Sequence, residues 1–251
     1  MSQACRSNGV RAGGNRASHG PACLLALVWL SAAFAATARA ADTSEFWPEL
    51  SAFKQLNERS RACLDAAYAL GKESDVKSVD VAACLDLSLK PIARMSTGRL
   101  TDDWQRNKYL WARIGYYRVF EATDSTGVEV AENRGVLALY GRVPLPAATW
   151  LETRTRADFR WIGNEYSNRY RFRLDLSREF AVLDHAVVPY FNYEWFYDTR
   201  YDEWSRTLAT LGAEVTANDH FRYEVYFARQ ADRVPERTDL NALGVVFKWY
   251  Y

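Results

Sequence analysis

No apolar run in this chain approaches the roughly 20 residues that a membrane-spanning helix needs. The run Cys23–Ala36 stops at 14. No long window carries helical periodicity, and there is no low-complexity segment or domain linker. Histidine is scarce: only His185 and His220 lie beyond residue 40. Both fall at expected short turns, where a lone histidine is structural or solvated rather than catalytic. No spacing of His, Cys, Asp or Glu fits zinc, calcium or haem, and no glycine loop is built to cradle phosphate. The expectation is no catalytic residue, no cofactor and no metal. Acids are missing from residues 1–40, which hold Arg6, Arg11, Arg16 and Arg39.

That acid-free segment reads as a secretory leader. A basic stretch precedes the apolar run, and Ala38 and Ala40 fit the small-x-small cleavage rule, so cleavage is expected after Ala40. A lipid-modified cysteine would follow the apolar run, whereas Cys23 opens it. The basic stretch is long, so the true start codon lies at Met1 or downstream of it. Removing four arginines from 32 basic residues leaves 28 against 31 acids, a net charge of about −3. Nothing in that balance calls for a nucleic-acid partner. Residues 41–251 suffice for one large β domain.

What the chain does have is alternation. In the last nine residues, Leu243, Val245, Phe247, Trp249 and Tyr251 are apolar or aromatic at every second position. That period makes a strand with one greasy face. A strand ending the chain on an aromatic side chain resembles the C-terminal insertion signal of bacterial outer-membrane barrels. An ordinary edge strand of a soluble sheet is the other reading. Strands are expected at about 45–56, 59–70, 79–90, 109–121, 134–145, 149–161, 168–180, 187–198, 205–215, 220–230 and 240–251. Most have the length that a tilted transmembrane strand needs. A membrane protein without apolar helices must span as a closed barrel. Aromatic side chains at the ends of many apolar faces suit interfacial girdles. Short links at 146–148, 181–186 and 216–219 alternate with longer ones at 122–133, 162–167, 199–204 and 231–239. Counted back from a periplasmic C-terminus, the longer links face outward.

Eleven strands is an odd count, whereas bacterial barrels are normally even. A strand hidden within 91–108 would give twelve, the preferred total. A partial first strand would give ten. The fold expected is an all-β, antiparallel outer-membrane barrel of about 12 strands over residues 41–251.

The alternating charges form one constellation. Glu152, Arg154, Arg156, Asp158 and Arg160 share a face, as do Arg169, Arg171, Arg173, Asp175 and Glu179. Glu194 and Asp198 follow on the next strand. A hairpin closing near 164–165 sets Asp158 near Arg171 and Arg154 near Asp175. The next pairing sets Arg173 near Glu194 and Arg169 near Asp198. Facing opposite charges stabilise a sheet modestly, and planar guanidiniums suit carboxylates. Two readings stay open: a salt-bridge network that rigidifies the barrel, or a charged pore lining that selects solutes. Barrel size does not choose between them, because about 8 strands enclose packed side chains and 16–18 leave a channel. Beyond residue 40 only Cys63 and Cys84 remain, an even pair in an oxidising compartment. Both point to the lumen and sit symmetrically about one loop, a geometry that permits a cross-strand disulfide.

With these strands laid out, the chain resembles the family of Gram-negative outer-membrane proteins known as domain of unknown function 2490. The resemblance rests on Phe46-Trp-Pro-Glu-Leu50, Asn168-Arg-Tyr-Arg-Phe-Arg173, Pro189-Tyr-Phe-Asn-Tyr-Glu-Trp-Phe-Tyr-Asp198 and the aromatic C-terminus. It covers nearly all of residues 41–251. It implies an outer-membrane barrel and brings no activity or catalytic residue with it. The expected function is a small channel or passive diffusion conduit. A structural or envelope-interaction barrel closed by its own charges is the alternative, and a lipid-acting enzyme comes third. Expected partners are outer-membrane lipid, with periplasmic chaperones and the barrel assembly machinery during insertion.

Overall fold

A computed structural model describes residues 43–71, 76–91, 108–122, 129–182, 185–235 and 237–251. All lie in the compact unit Ala40–Tyr251. The expected leader and the stretch 92–107 fall outside the described residues.

Every described element is a strand: β1 (Thr43–Gln55), β2 (Ser60–Leu70), β3 (Val76–Pro91), β4 (Lys108–Ala122), β5 (Glu129–Leu145), β6 (Thr149–Ile162), β7 (Glu165–Arg178), β8 (Phe180–Val182), β9 (His185–Asp198), β10 (Glu203–Thr216), β11 (Phe221–Asp232) and β12 (Thr238–Tyr250). All but β8 join in one closed ring, each paired with its sequence neighbours, β9 with β7 and β10. The short β8 continues the line of β7 beyond Glu179 and pairs with the start of β9. The barrel is therefore eleven strands around plus one short segment, in keeping with a total of about twelve.

Its odd ring closes through one parallel seam. β1 runs alongside β12 from Thr43 opposite Leu240 to Phe53 opposite Tyr250. Strict antiparallel alternation closes only on an even number, and a single parallel pair supplies the missing step. The expectation that an odd count signals a missing or partial strand meets a different answer. β1 is a full strand of 13 residues, and ring closure needs no strand within 92–107. Pro48 sits in β1, where the ladder to β2 skips Trp47 and Pro48. Proline has no N–H to give there. Because the seam is parallel, the start of β1 and the C-terminus lie at opposite rims. Turns 56–59, 146–148 and 217–220 share the C-terminal rim, and turns 163–164, 199–202 and the segment 233–235 the other.

The strands form because polarity alternates along them, and the barrel sorts that alternation inside out. Leu50, Leu64, Ile114, Leu174, Leu176 and Leu243 point outward and are exposed. Arg61, Asp86, Asp158 and Asp198 point inward at 0–1 % exposure. A soluble sheet would do the reverse. Two small apolar clusters of the interior lie near the C-terminal rim. Phe53 packs on Cys63, Cys84 and Tyr250, with the Arg61 guanidinium 4.4 Å from the Phe53 ring centre. Trp111 stacks on Tyr140 at 4.8 Å.

Candidate functional site: the charged lumen

Register fixes which charges meet. β6 and β7 are joined by the two-residue turn Gly163-Asn164, far tighter than the expected link 162–167. Gly163 takes φ +58°, a left-handed conformation that glycine adopts without a Cβ clash. This turn is centred one residue before the expected one. Asp158 consequently faces Arg169, Arg156 faces Arg171, Arg154 faces Arg173, and Glu152 faces Asp175. The expected facings of Asp158 with Arg171 and Arg154 with Asp175 become diagonals. Between β7 and β9, Arg169 faces Asp198 and Arg173 faces Glu194, the expected pairings.

Like charges directly opposite one another repel, so the guanidiniums reach sideways to acids. Glu194 receives Arg154 at 2.5 Å and Arg171 at 2.7 Å. Arg171 also approaches Asp158 at 3.8 Å, and Arg156 pairs with Asp158 along its own strand. Arg173 is left with Glu152 at 3.5 Å, whose other oxygen holds Arg142 at 2.5 Å. Toward the rim opposite the C-terminus, Asp198 binds Arg160 at 2.8 Å and Arg169 at 3.0 Å. Arg160 also grips Glu132 at 2.6 Å, which takes Arg134 at 2.8 Å. Asp175 and Glu179 line the water space toward the C-terminal rim. The structure thus gathers all twelve charges singled out in 149–198 along one side of the lumen.

The network continues into strands beyond 149–198. Fully buried Asp86 lies between Arg61 at 2.6 Å and Arg113 at 2.7 Å. Lys248 bridges Glu214 at 2.7 Å and Glu224 at 2.5 Å. Glu132, Arg134 and Arg142 come from β5, whose inward face is interrupted by Val136, Ala138 and Tyr140. That interruption hides the charge pattern of β5 from a period-two reading.

Among the described residues, three cavities lie end to end inside the ring. One of about 300 Å³ reaches Ser177, Glu179 and Glu214 near the C-terminal rim. A second of about 360 Å³ occupies the middle. A third of about 530 Å³ reaches Glu45, Ser78 and Gln230 near the opposite rim. The first two share Glu49, Asp65, Arg154 and Arg173 as wall. The last two share Trp47, Glu49, Arg171 and Tyr226.

Two glycines make room for rings beside this space. A Cβ on Gly244 would sit 2.0 Å from Tyr226 Cζ, and one on Gly212 would sit 2.7 Å from Tyr190 Oη. Tyr226 faces both glycines across its two ladders. The Tyr190 hydroxyl donates to Glu224.

Cys63 and Cys84 face each other across β2 and β3, with Cα atoms 5.0 Å apart and a disulfide between them. Asp65 lies beside them, and the three side chains are close enough to hold an ion, but the two sulfurs are engaged with one another. His185 and His220 stand at the C-terminal rim. Their Nδ1 atoms lie 3.1 Å from the Thr216 carbonyl and 2.9 Å from the Tyr250 carbonyl. The expected insertion-signal residues Leu243, Phe247, Trp249 and Tyr251 are exposed on the outer side, with Val245 between them half-buried. A scan against protein-family models and a search of curated proteins each found no match.

Proposed function

We propose that this chain is an outer-membrane β-barrel whose charged lumen is a narrow diffusion path for small polar solutes. The observation that carries the reading is the run of three adjoining polar cavities along the barrel axis. An outward apolar face suits lipid, since burial of apolar surface away from water is favourable and a closed ring leaves no unpaired strand edge. The secretory leader, the aromatic terminal strand and the resemblance to the domain of unknown function 2490 family support the outer membrane as the location. Insertion through the barrel assembly machinery, with periplasmic chaperones, belongs to the same proposal. Catalysis forms no part of it.

The test is conductance of the purified protein in planar bilayers, with swelling of proteoliposomes in small neutral solutes as a second measurement. A small steady conductance and size-limited swelling are expected. Silence in both would favour the second reading, a barrel closed by its own salt bridges. That reading has its own supporting observation: Arg61, Asp86, Glu132, Asp158, Arg160 and Asp198 are all at least nine-tenths buried. Fractionation of cell envelopes tests the location, and recovery with the inner membrane would overturn it.

A further inference from the structure

The middle cavity has two walls of opposite sign. Arg113, Arg154, Arg156, Arg171 and Arg173 line it from β4, β6 and β7. Glu49, Asp65, Asp80 and Glu224 line it from β1, β2, β3 and β11. β6 and β1 are five strands apart in a ring of eleven, as far apart as such a ring allows, so these walls confront each other.

Each wall keeps its sign toward the water. On the basic side, Asp86 and Asp158 are fully buried, so these carboxylates stand behind the guanidiniums and not in front of them. Glu194 also lines the cavity, but its oxygens already hold Arg154 and Arg171. Behind the wall, Arg154 Nε, Arg156 Nη2 and Arg173 Nε, and the acceptor Asp158 Oδ2, are buried without a hydrogen-bond partner among the described residues. Arg173 is the loosest of the four facing arginines on β6 and β7. Its side chain is 22 % exposed against 9–15 % for the others. On the acidic side, Lys248 is the one cation among the described residues lining the cavity, and it is clamped by Glu214 and Glu224. The Ser51 hydroxyl lies 3.0 Å from a Glu49 oxygen and 2.8 Å from an Asp65 oxygen, with one proton to share between them, and it brings no charge.

A simple anion entering this cavity is drawn to one wall and repelled by the other, and so is a simple cation. A solute carrying both charges gains at both walls, and fields across a low-dielectric tube are weakly screened. The geometry points to a mid-lumen site for a small zwitterion of the α-amino-acid type. Its carboxylate lies toward Arg173 and Arg154, and its ammonium toward Asp65 and Glu49. This inference rests on the channel reading and names the class of solute that the path favours.

Four solutes with one carbon skeleton separate the cases: alanine as zwitterion, lactate as anion, alaninamide as cation and lactamide as neutral control. Entry into proteoliposomes bearing the full-length protein is measured for each, with protein-free vesicles as background. Alanine is expected to enter faster than lactamide, and lactate and alaninamide more slowly than alanine. In the double variant Arg173→Gln/Asp65→Asn the alanine-to-lactamide ratio should fall about fivefold, the factor matching about 1 kcal/mol for charges near water. Entry of all four at similar rates, or an unchanged ratio in the variant, overturns the zwitterion site and leaves the channel standing. Exclusion of lactamide along with the rest overturns the channel reading, and this inference with it.

Discussion

Arg160 and Arg173 both belong to the charged lumen, yet the structure assigns them very different weights. Arg160 donates from Nε and Nη2 to Glu132 at 2.6 and 2.8 Å, and from Nη1 to Asp198 at 2.8 Å. Its side chain is 5 % exposed. Arg160→Ala removes all three bonds and leaves Glu132 to Arg134 and Asp198 to Arg169. Three charge-assisted bonds at about 1.5–3 kcal/mol each set an upper bound of roughly 4.5–9 kcal/mol. Because each acid keeps one partner, the expected cost is about 3–5 kcal/mol, the range for breaking a buried pair. Arg173→Ala removes one contact of 3.5 Å from a side chain 22 % exposed, and should cost about 0–1 kcal/mol. Urea titration of the folded barrel in detergent, followed by tryptophan fluorescence and by heat-modifiable gel mobility, reads both. With a slope of about 2 kcal/mol per molar urea, Arg160→Ala should move the midpoint down by roughly 2 M and Arg173→Ala by less than about 0.5 M. Equal shifts would refute the reasoning, since they would mean that burial and geometry do not grade these ion pairs.

Gly244→Ala forces the Tyr226 ring off the wall and should cost about 1–3 kcal/mol; pairing it with Tyr226→Ala should cost less than the sum of the single changes, and strict additivity would count against ring-over-glycine packing. Mass spectrometry of unreduced protein should find the peptide linking Cys63 to Cys84, whereas two alkylatable thiols in the folded, unreduced protein would rule the bond out. Deleting Tyr251, or replacing it with Asp, should lower the amount of folded, heat-modifiable protein in outer membranes; undiminished assembly of both variants would remove the terminal strand as an insertion signal.

The strands were legible because their signal is local. Arg169 to Asp175 alternate with Tyr170 to Leu176, and a period of two needs no partner strand to be read. All eleven expected strands have a counterpart within a few residues. Closure of the ring was not legible, since Thr43 and Leu240 meet across almost the whole domain and nothing near either residue announces a parallel partner. The β6–β7 turn moved by one residue and each facing partner consequently by two, because the register depends on which residue takes the left-handed turn, and Gly163 does so ahead of the expected centre. That shift exchanged facing opposite charges for facing like charges, and the side chains recovered their pairs along diagonals. The acidic wall is assembled by strand pairing: Glu49, Asp65 and Asp80 come from β1, β2 and β3, which are neighbours in the ring.

The parallel seam gives the barrel a parity. Inserting or deleting a hairpin changes the strand count by two, so it leaves an odd ring odd and its seam parallel. Only the gain or loss of a single strand exchanges one kind of closure for the other, and that also moves one end of the domain to the other rim. Circular permutation meets the same constraint. In an even barrel a short loop joins first strand to last, but here the paired stretch Thr43–Phe53 separates the two ends. At about 3.3 Å per residue that is roughly 36 Å, so a linker shorter than about ten extended residues cannot rejoin them.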